Sequence, residues 1–165
     1  MNIYPKLCLK KVTEVDVNLL QEQNIKGVIL DVDNTLIDYN RNLIEGAVEW
    51  CNSLKKQNIK FCIVSNSNQK SRVETVANTL EIPYILFAKK PLLGGIKKAV
   101  KILGLDAAEI ALVGDQLFTD VIGANRMKIY SILIEPIGQK EGFITRIKRP
   151  FEKAILRTYR KDKHG

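Results

Sequence analysis

Residues 28–35 have the sequence Val-Ile-Leu-Asp-Val-Asp-Asn-Thr, and the rest of the chain is organised around them. The apolar run from Gly27 to Leu30 predicts a short buried strand. Asp31 and Asp33 follow it at spacing i, i+2, which places both side chains on the same side of an extended backbone. Because adjacent carboxylates repel each other, the stretch predicts a metal cation between them, with one carboxylate as nucleophile and the other transferring protons. A plain strand-to-turn boundary, where Asp and Asn are common, is the alternative.

The chain of 165 residues is long enough for one domain with its own hydrophobic core. With 45% hydrophobic and 27% charged residues, its composition is typical of a soluble globular protein. The sequence has no apolar run of membrane-spanning length and no signal peptide. These features predict a cytoplasmic location, either free or peripheral at the inner face of the membrane.

The cysteine and histidine content limits the kinds of site and reaction mechanism that we expect in this chain. Cys8, Cys51 and Cys62 are widely spaced and form no CxxC motif, so we expect reduced thiols and neither a disulfide framework nor a zinc site. The one histidine, His164, lies in the tail, which argues against Ser–His and Cys–His mechanisms. Acid–base work is therefore expected from carboxylates or lysines.

Charge is concentrated at the C-terminus. The net charge of +8 and a pI near 9.4 favour an anionic partner. Residues 140–163 contain nine Lys or Arg against three Asp or Glu. Within them, a predicted helix over 151–159 places Phe151, Ile155 and Tyr159 near one side and basic residues on much of the remainder. This helix either lies on an anionic membrane or packs its apolar side on the domain.

Strand and helix patterns alternate along the chain after a basic, irregular lead at residues 1–11. Predicted strands cover 27–30, 60–64, 84–88, 110–113 and 129–134, and predicted helices cover 16–23, 45–57, 69–80, 93–103, 120–126 and 151–159. Such alternation predicts βαβ units in a doubly wound, open parallel sheet with helices on both faces, an α/β fold of three α/β/α layers. We expect a single domain over 1–165, with its core at about 26–135.

Polar residues follow four of the predicted strands, namely Asp31, Ser65, Lys90 and Asp115. Open α/β sheets bind ligands at the carboxyl ends of their strands, so these side chains are expected to meet at one site. Each also has an ordinary structural interpretation. Ser65 could cap a helix, the adjacent Lys89 and Lys90 could be solvated loop charges, and Asp115 and Asp120 could form a turn and a helix cap.

The same residues resemble the four motifs of the haloacid dehalogenase (HAD) superfamily. Residues 31–35 resemble its DxDxT motif, Ile63-Val64-Ser65-Asn66 its second motif, Lys90-Pro91 its third and residues 114–120 its GDxxxTD motif. All four occur in the right order, across residues 26–134. The sequences at 88–91 and 114–116 and the basic C-terminus resemble the YqeG-like phosphatases of the capless subclass IIIA, bacterial relatives of the mitochondrial phosphatidylglycerophosphate phosphatase.

This resemblance implies a Rossmann-like HAD fold and a phosphomonoester hydrolase that forms an aspartyl-phosphate. Asp31 would be the nucleophile, and Asp33 would protonate the leaving oxygen and then activate water. Lys90, preferred over Lys89 because it precedes the proline, would neutralise negative charge at the phosphoryl group.

Binding roles are implied for the remaining motif residues. Ser65 and the backbone N–H of Asn66 would hold phosphoryl oxygens, and Thr35 would orient the Asp33 loop. Mg²⁺ would be bound by Asp31, Asp115 and the backbone carbonyl of Asp33. Asp120 would support this shell through water or through Lys90.

The intervals at 40–60 and 69–88 are too short for a cap domain, so we expect an open site suited to a large phosphorylated substrate. The resemblance favours a lipid, phosphatidylglycerophosphate. One alternative is a soluble sugar or nucleotide phosphate. Another is a non-catalytic module that binds nucleic acid or protein, although no basic patch interleaved with aromatic residues supports nucleic acid.

Overall fold

The computed structural model describes residues 2–137, 150, 152–158 and 160–161, and its centre is a six-stranded sheet. In sheet order the strands run β1-β6-β5-β2-β3-β4, and every neighbouring pair is parallel. The strands are β1 (Leu7–Leu9), β2 (Gly27–Leu30), β3 (Lys60–Val64), β4 (Tyr84–Ile85), β5 (Ile110–Gly114) and β6 (Tyr130–Ile134).

Helices connect the strands and cover the sheet. They are α1 (Val17–Glu22), α2 (Ala47–Lys56), α3 (Lys70–Leu80), α4 (Leu93–Leu103) and α5 (Ile122–Arg126), with a π-helical turn at Leu117–Val121 directly before α5. Short 3-10 turns occupy Val12–Glu14 and Ala107–Glu109. Residues 152–158 are also helical, which confirms the predicted final helix there, while Phe151 and Tyr159 lie outside the described residues.

Side-chain alternation along the strands divides the core into two layers. Val28 and Leu30 face the cluster that includes buried residues of α1, α2 and α3. Ile29 faces the opposite cluster, with Ile96 of α4 and Ala124 of α5. Because successive residues of a strand point to opposite faces, a strand that is apolar throughout needs a helical layer on each side. The predicted three-layer α/β/α architecture is confirmed.

Local sequence accounts for the helix ends. The Asp16 carboxylate accepts the Leu19 N–H at 2.8 Å, which satisfies one of the free donors at the start of α1. Gly104, with φ of 64°, ends α4 in the left-handed conformation that glycine adopts without steric cost.

The order of the strands determines where the site lies. From β2 the chain proceeds to β3 and β4 on one side, then returns to β5 and β6 on the other side of β2. The order therefore reverses between β2 and β5, and connections at their carboxyl ends diverge to leave a crevice. Asp31 follows β2 and Asp115 follows β5, so both carboxylates stand at this switch point.

Two sequence-based expectations about the strands are wrong. The N-terminal lead is not irregular throughout, because Leu7–Leu9 forms an edge strand that pairs with β6, with Leu7 opposite Ile132. Three residues are too few to show an alternating pattern, and this strand is specified by its partner. The third predicted strand is also shorter than expected, since β4 ends at Ile85 and the chain then bends toward the site.

The final helix packs on the domain through its apolar side. Ile155 and Leu156 contact the cluster of Leu117, Val121 and Leu133, and Cys8 joins them. The exposed residues of this helix include Lys153, Arg157, Arg160 and Lys161. The packing alternative therefore holds for Ile155 and Leu156, and contact of the basic side with lipid stays a prediction.

No inserted cap domain interrupts the continuously described residues 2–137. The β2–α2 connection, residues 31–46, contains only isolated bridges between Asp33 and Ile37 and between Ile37 and Leu43. None of the described helices is long and apolar enough to cross a bilayer. Cys51 and Cys62 are free thiols, and burial raises the pKa of Cys62 to about 11.

Candidate active site

Asp31 and Gly114 lie side by side at the carboxyl edge of the sheet. The Asp31 N–H donates to the Val113 carbonyl at 3.0 Å, so the sheet's hydrogen bonding continues one residue beyond β2 and fixes the backbone there. A Cβ added at Gly114 would overlap the carboxylate of Asp120. Glycine before Asp115 is therefore required by the close approach of Asp120, which brings a further carboxylate to the switch point.

Lys90 lies at the centre of the site. Its Nζ donates to Asp120 Oδ1 at 2.6 Å and to Asp31 Oδ1 at 3.0 Å, and all three side chains are buried. Lys89, by contrast, is exposed. Of the two adjacent lysines, Lys90 is thus the one that reaches the carboxylates, as the position before the proline predicted.

The buried charges shift one another's ionisation. Burial by itself would lower the pKa of Lys90, but the carboxylates of Asp120 and Asp31 outweigh it and raise that pKa, so the ammonium stays protonated at neutral pH. Burial raises the pKa of Asp120 to about 6, while the adjacent Lys90 cation opposes this rise. A buried cation between two carboxylates is an arrangement that perturbs ionisation in the way catalytic sites commonly do.

The carboxylates of the site form a group that could hold a metal ion. Asp31, Asp115 and Asp120 are all buried, and each offers one oxygen within 4.8 Å of the others. Asp120 is already engaged, because its Oδ1 accepts from Lys90 and its Oδ2 accepts the Gln116 N–H at 3.1 Å. Hard carboxylate oxygens fit a divalent cation such as Mg²⁺, and Asp31 and Asp115 are the better placed of the three to bind it directly.

The loop after β3 positions Lys90. The Asn66 Oδ1 accepts the backbone N–H of Lys90 at 2.7 Å, and its Nδ2 donates to the Lys90 carbonyl at 3.1 Å. Ser65 is buried, and its Oγ accepts the Ser67 N–H at 3.1 Å. Ser65 does not cap the following helix, since the N-cap residue of α3 is Gln69. The helix-cap interpretation of Ser65 is therefore wrong.

Asp33 and Thr35 lie on the turn that follows β2. Asp33 is half-buried, and its Oδ1 pairs with the Arg72 guanidinium at 3.1 Å. Thr35 is fully buried, and within the described residues its Oγ1 has no hydrogen-bond partner. The Thr35 N–H donates to the Val32 carbonyl at 3.2 Å and the Asn34 N–H to the Ile37 carbonyl at 3.0 Å, so backbone bonds hold this turn beside the site.

Arg72 is a site residue that sequence reasoning missed. It comes from the first turn of α3, and its Nη2 also approaches Ser67 Oγ at 3.5 Å, so it links the Asp33 turn to the Ser65 loop. The sequence did contain a hint. A cation in the first turn of a helix opposes the helix dipole, so the position of Arg72 is not explained by the stability of its own helix.

Two cavities adjoin these residues. A small one of about 90 Å³ is lined by Asp31, Asp33, Ser65, Asn66, Ser67, Lys90, Gln116 and Thr119. A larger one of about 770 Å³ has Asp115 in its wall and lies beside β1, β6 and the final helix. The small cavity is lined by residues of all four motifs, since Gln116 and Thr119 belong to the fourth, whereas Asp115 lines the larger cavity.

Comparison with known proteins agrees with this geometry. The family described as mitochondrial PGP phosphatase matches residues 1–137. The chain is 37% identical over 161 residues to "Probable phosphatase YqeG" of Bacillus subtilis (strain 168), covering 97% of this chain and 93% of that protein. It is 27% identical to "Phosphatidylglycerophosphate phosphatase 1, chloroplastic/mitochondrial" of Arabidopsis thaliana, covering 95% of this chain but 48% of that protein.

Solved structures share the fold. The HAD phosphatase of Thermococcus onnurineus superposes with a TM-score of 0.59 at 15% identity, over 72% of this chain and 90% of that one. The fold, the residues gathered at the switch point and the family match lead to one assignment: this chain belongs to the PGP phosphatase family of the HAD superfamily and is a phosphoric monoester hydrolase.

Proposed function

We propose that this protein is a Mg²⁺-dependent phosphatase that forms an aspartyl-phosphate on Asp31 and acts on a lipid phosphate, phosphatidylglycerophosphate. The observation that carries the mechanism is the buried Lys90 ammonium held between Asp31 and Asp120, with Asp115 adjacent. Such a site presents an ionised carboxylate beside fixed positive charge, which is what attack on a phosphate dianion requires.

The proposed steps use four side chains. A carboxylate oxygen of Asp31 attacks phosphorus in line and displaces the substrate oxygen, which takes a proton from Asp33. Asp33 then removes a proton from water, which hydrolyses the aspartyl-phosphate and regenerates Asp31. Lys90 remains protonated and stabilises negative charge on the transferred group, while Asp120 holds its ammonium in place.

Asp31 and Asp115 would hold Mg²⁺, together with the Asp33 carbonyl, and Asp120 would act on this shell through Lys90. When bound, Mg²⁺ offsets the repulsion between the carboxylates and the substrate phosphate. The Ser65 hydroxyl and the Asn66 backbone line the same cavity and would bind phosphoryl oxygens.

The size and openness of the site support a large substrate. A cavity of about 90 Å³ accommodates little more than a phosphoryl group, so the rest of the substrate must lie outside it. The continuously described residues 2–137 carry no cap that would enclose a small molecule, and the cavity of about 770 Å³ that Asp115 lines offers room for a larger group. The family match and the substrate named for the Arabidopsis relative favour phosphatidylglycerophosphate.

Phosphate release from phosphatidylglycerophosphate in mixed detergent micelles, with and without Mg²⁺, tests the proposed function. We expect Mg²⁺-dependent release that exceeds release from sugar and nucleotide phosphates. Hydrolysis of the soluble phosphates alone would overturn the lipid assignment and retain the phosphatase. Absence of hydrolysis on every substrate would overturn the proposed chemistry and favour a binding module on the same fold.

Asp115→Asn is expected to weaken Mg²⁺ binding, because it removes a charged ligand from the carboxylate cluster. In the unchanged protein, Mg²⁺ should raise the melting temperature by mass action, and the Mg²⁺ concentration for half-maximal activity should match that stabilisation. In Asp115→Asn, the Mg²⁺ concentration for half-maximal activity and the Mg²⁺ concentration for half-maximal stabilisation should both rise by about tenfold or more, the equivalent of about 1.4 kcal/mol of binding free energy. Equal responses of the two proteins to Mg²⁺ would remove Asp115 from the proposed metal site.

Arg72→Gln is expected to slow hydrolysis according to the leaving group. If Arg72 orients Asp33 as the acid, alkyl phosphates, whose leaving oxygen needs a proton, should lose about tenfold to a hundredfold in kcat. p-Nitrophenyl phosphate, whose leaving group departs without a proton, should lose much less, and Arg72→Lys should restore part of the alkyl activity. A uniform loss on both substrates would mean that Arg72 acts on the fold and not on Asp33.

A further inference from the structure

Four large hydrophobic side chains are exposed among the described residues, and three of them lie at the edge of the sheet that carries the site. Tyr39 is 57% exposed, Phe87 59% and Leu92 58%. Tyr39 lies on the β2–α2 connection, while Phe87 and Leu92 lie on the connection from β4 to α4. Both connections leave the carboxyl ends of their strands, and we call these three residues the rim. The fourth residue, Ile102, is 52% exposed near the end of α4, toward the opposite edge.

Two of the rim residues are hydrogen-bonded to the loops that carry the site residues. The Phe87 N–H donates to the Ser67 carbonyl at 3.4 Å, and the Leu92 N–H donates to the Lys89 carbonyl at 2.9 Å. Asn66 holds Lys90, which lies between Phe87 and Leu92 in the chain, by two hydrogen bonds. These hydrogen bonds hold Phe87 and Leu92 at a fixed position relative to Lys90.

The backbone at Phe87 is unusual. Phe87 has φ of 51° and Lys89 has φ of 54°, in the left-handed region that bulky side chains seldom adopt. Such conformations persist where the surroundings impose them, and they occur frequently at functional sites. At this position the phenylalanine ring is exposed to solvent beside the site. Exposure of apolar surface to water costs free energy, and contact with a partner surface would remove that cost.

Basic side chains accompany the rim. Arg41 is exposed two residues after Tyr39, Lys89 is exposed between Phe87 and Leu92, and Lys70 is exposed at the start of α3. The acidic residues Asp38 and Glu45 lie on the β2–α2 connection as well, and Asp38 accepts the Asn42 N–H at 2.9 Å. The protein as a whole carries a net charge of +8, which attracts it toward anionic surfaces.

We propose that the rim, and not the basic final helix, is the surface by which this protein docks on an anionic lipid bilayer, with the active site facing the headgroups. This inference rests on the proposed action on a lipid phosphate, and it adds which surface of the protein contacts the membrane. Aromatic and leucine side chains flanked by Lys and Arg suit the boundary between headgroups and acyl chains. Among the described residues of the final helix, the apolar Ile155 and Leu156 are already used in packing on the domain.

Sedimentation with vesicles of phosphatidylglycerol and phosphatidylcholine tests this docking without any turnover. The unchanged protein should bind these vesicles more tightly than vesicles of phosphatidylcholine alone. The combined variant Tyr39→Ser, Phe87→Asn, Leu92→Ser should bind at least about tenfold more weakly. Asn is chosen at position 87 because it tolerates the left-handed backbone.

Two control variants distinguish binding through the rim from nonspecific hydrophobic binding and from binding through the basic final helix. Ile102→Ser removes an equally exposed hydrophobic side chain at the opposite edge and should leave vesicle binding unchanged. Arg157→Gln with Lys161→Gln should reduce binding less than the rim variant does. The proposal is overturned if the unchanged protein binds no vesicle, if the rim variant binds as well as the unchanged protein, or if the tail variant shows the larger loss.

A fluorescence measurement provides a positive signal for the same contact. Tyr39→Trp should show a blue shift of its emission when phosphatidylglycerol vesicles are added, whereas Ile102→Trp should not, and the native Trp50 is buried and supplies a constant background. A shift in Ile102→Trp alone would overturn the proposed orientation. Vesicle binding without hydrolysis of any phosphate would refute the proposed function instead, and lipid hydrolysis without binding by the rim would refute only the docking surface.

Discussion

Asp31→Asn should abolish phosphate release, with kcat lowered by at least about 10³-fold, because the loss of a nucleophile removes the covalent step altogether. The substitution replaces one carboxylate oxygen by an NH2 group and leaves the shape of the side chain unchanged, so packing at the end of β2 is retained. Lys90 still has Asp120 as a partner at 2.6 Å, and we therefore expect the folded state to survive. Steady-state hydrolysis of p-nitrophenyl phosphate and thermal unfolding of the two proteins measure both expectations.

Asp38→Asn is the matched control for this variant. Asp38 lies on the same connection as Asp31 but outside the cluster that could hold a metal. Its side chain accepts the Asn42 N–H through Oδ1, an interaction that an asparagine can reproduce. Normal hydrolysis by Asp38→Asn beside an inactive Asp31→Asn would localise the effect to the nucleophile. Residual activity of Asp31→Asn within tenfold of the unchanged protein would mean that another group attacks phosphorus.

Lys90→Met should reduce both stability and activity. It removes the ammonium that separates Asp31 from Asp120, and removing the cation partner of a buried carboxylate typically costs about 3–5 kcal/mol of folding free energy. Loss of one fixed charge at the transferred group is expected to lower kcat by about 10²–10³-fold. Denaturant unfolding gives the first quantity, and hydrolysis under conditions where the variant remains folded gives the second.

The adjacent lysine serves as its control. Lys89 has the same side chain but is exposed, so Lys89→Met should change the free energy of unfolding by no more than about 0.5 kcal/mol. If both substitutions proved equally mild, Lys90 would not be the charge on which the carboxylates depend. Mg²⁺ in the assay is varied for both proteins, since added cation could offset part of the repulsion that Lys90→Met exposes.

Much of the fold follows from short-range patterns in the sequence. The strands β2 and β3 and the helix α4 have the predicted bounds, because each combines an unbroken apolar pattern with a clear end, such as Gly104 after α4. The alternation of strands and helices is compatible with few topologies, because crossover connections between parallel strands are almost always right-handed. The site was predictable for the same reason, because polar residues that follow parallel strands must meet at one edge.

Other features depend on contacts that no local pattern reports. The strand β1 is three residues long and is specified by pairing with β6, more than a hundred residues away in the sequence. Arg72 belongs to the site only because α3 begins beside Asp33, and its spacing from the motifs carries no such information. Whether Lys89 or Lys90 turns inward depends on the backbone between Phe87 and Pro91, which the side chain of Asn66 holds from another loop.

The central claim is that Asp31 is phosphorylated during turnover, and acid trapping of the protein during hydrolysis of a ³²P-labelled phosphate ester tests it most directly. We predict a label that hydroxylamine removes, as expected for an acyl phosphate, located on the peptide that contains Asp31 and absent from Asp31→Asn. A hydroxylamine-resistant label on a serine such as Ser65, or turnover with no trapped label in rapid-quench samples, would contradict the proposed mechanism.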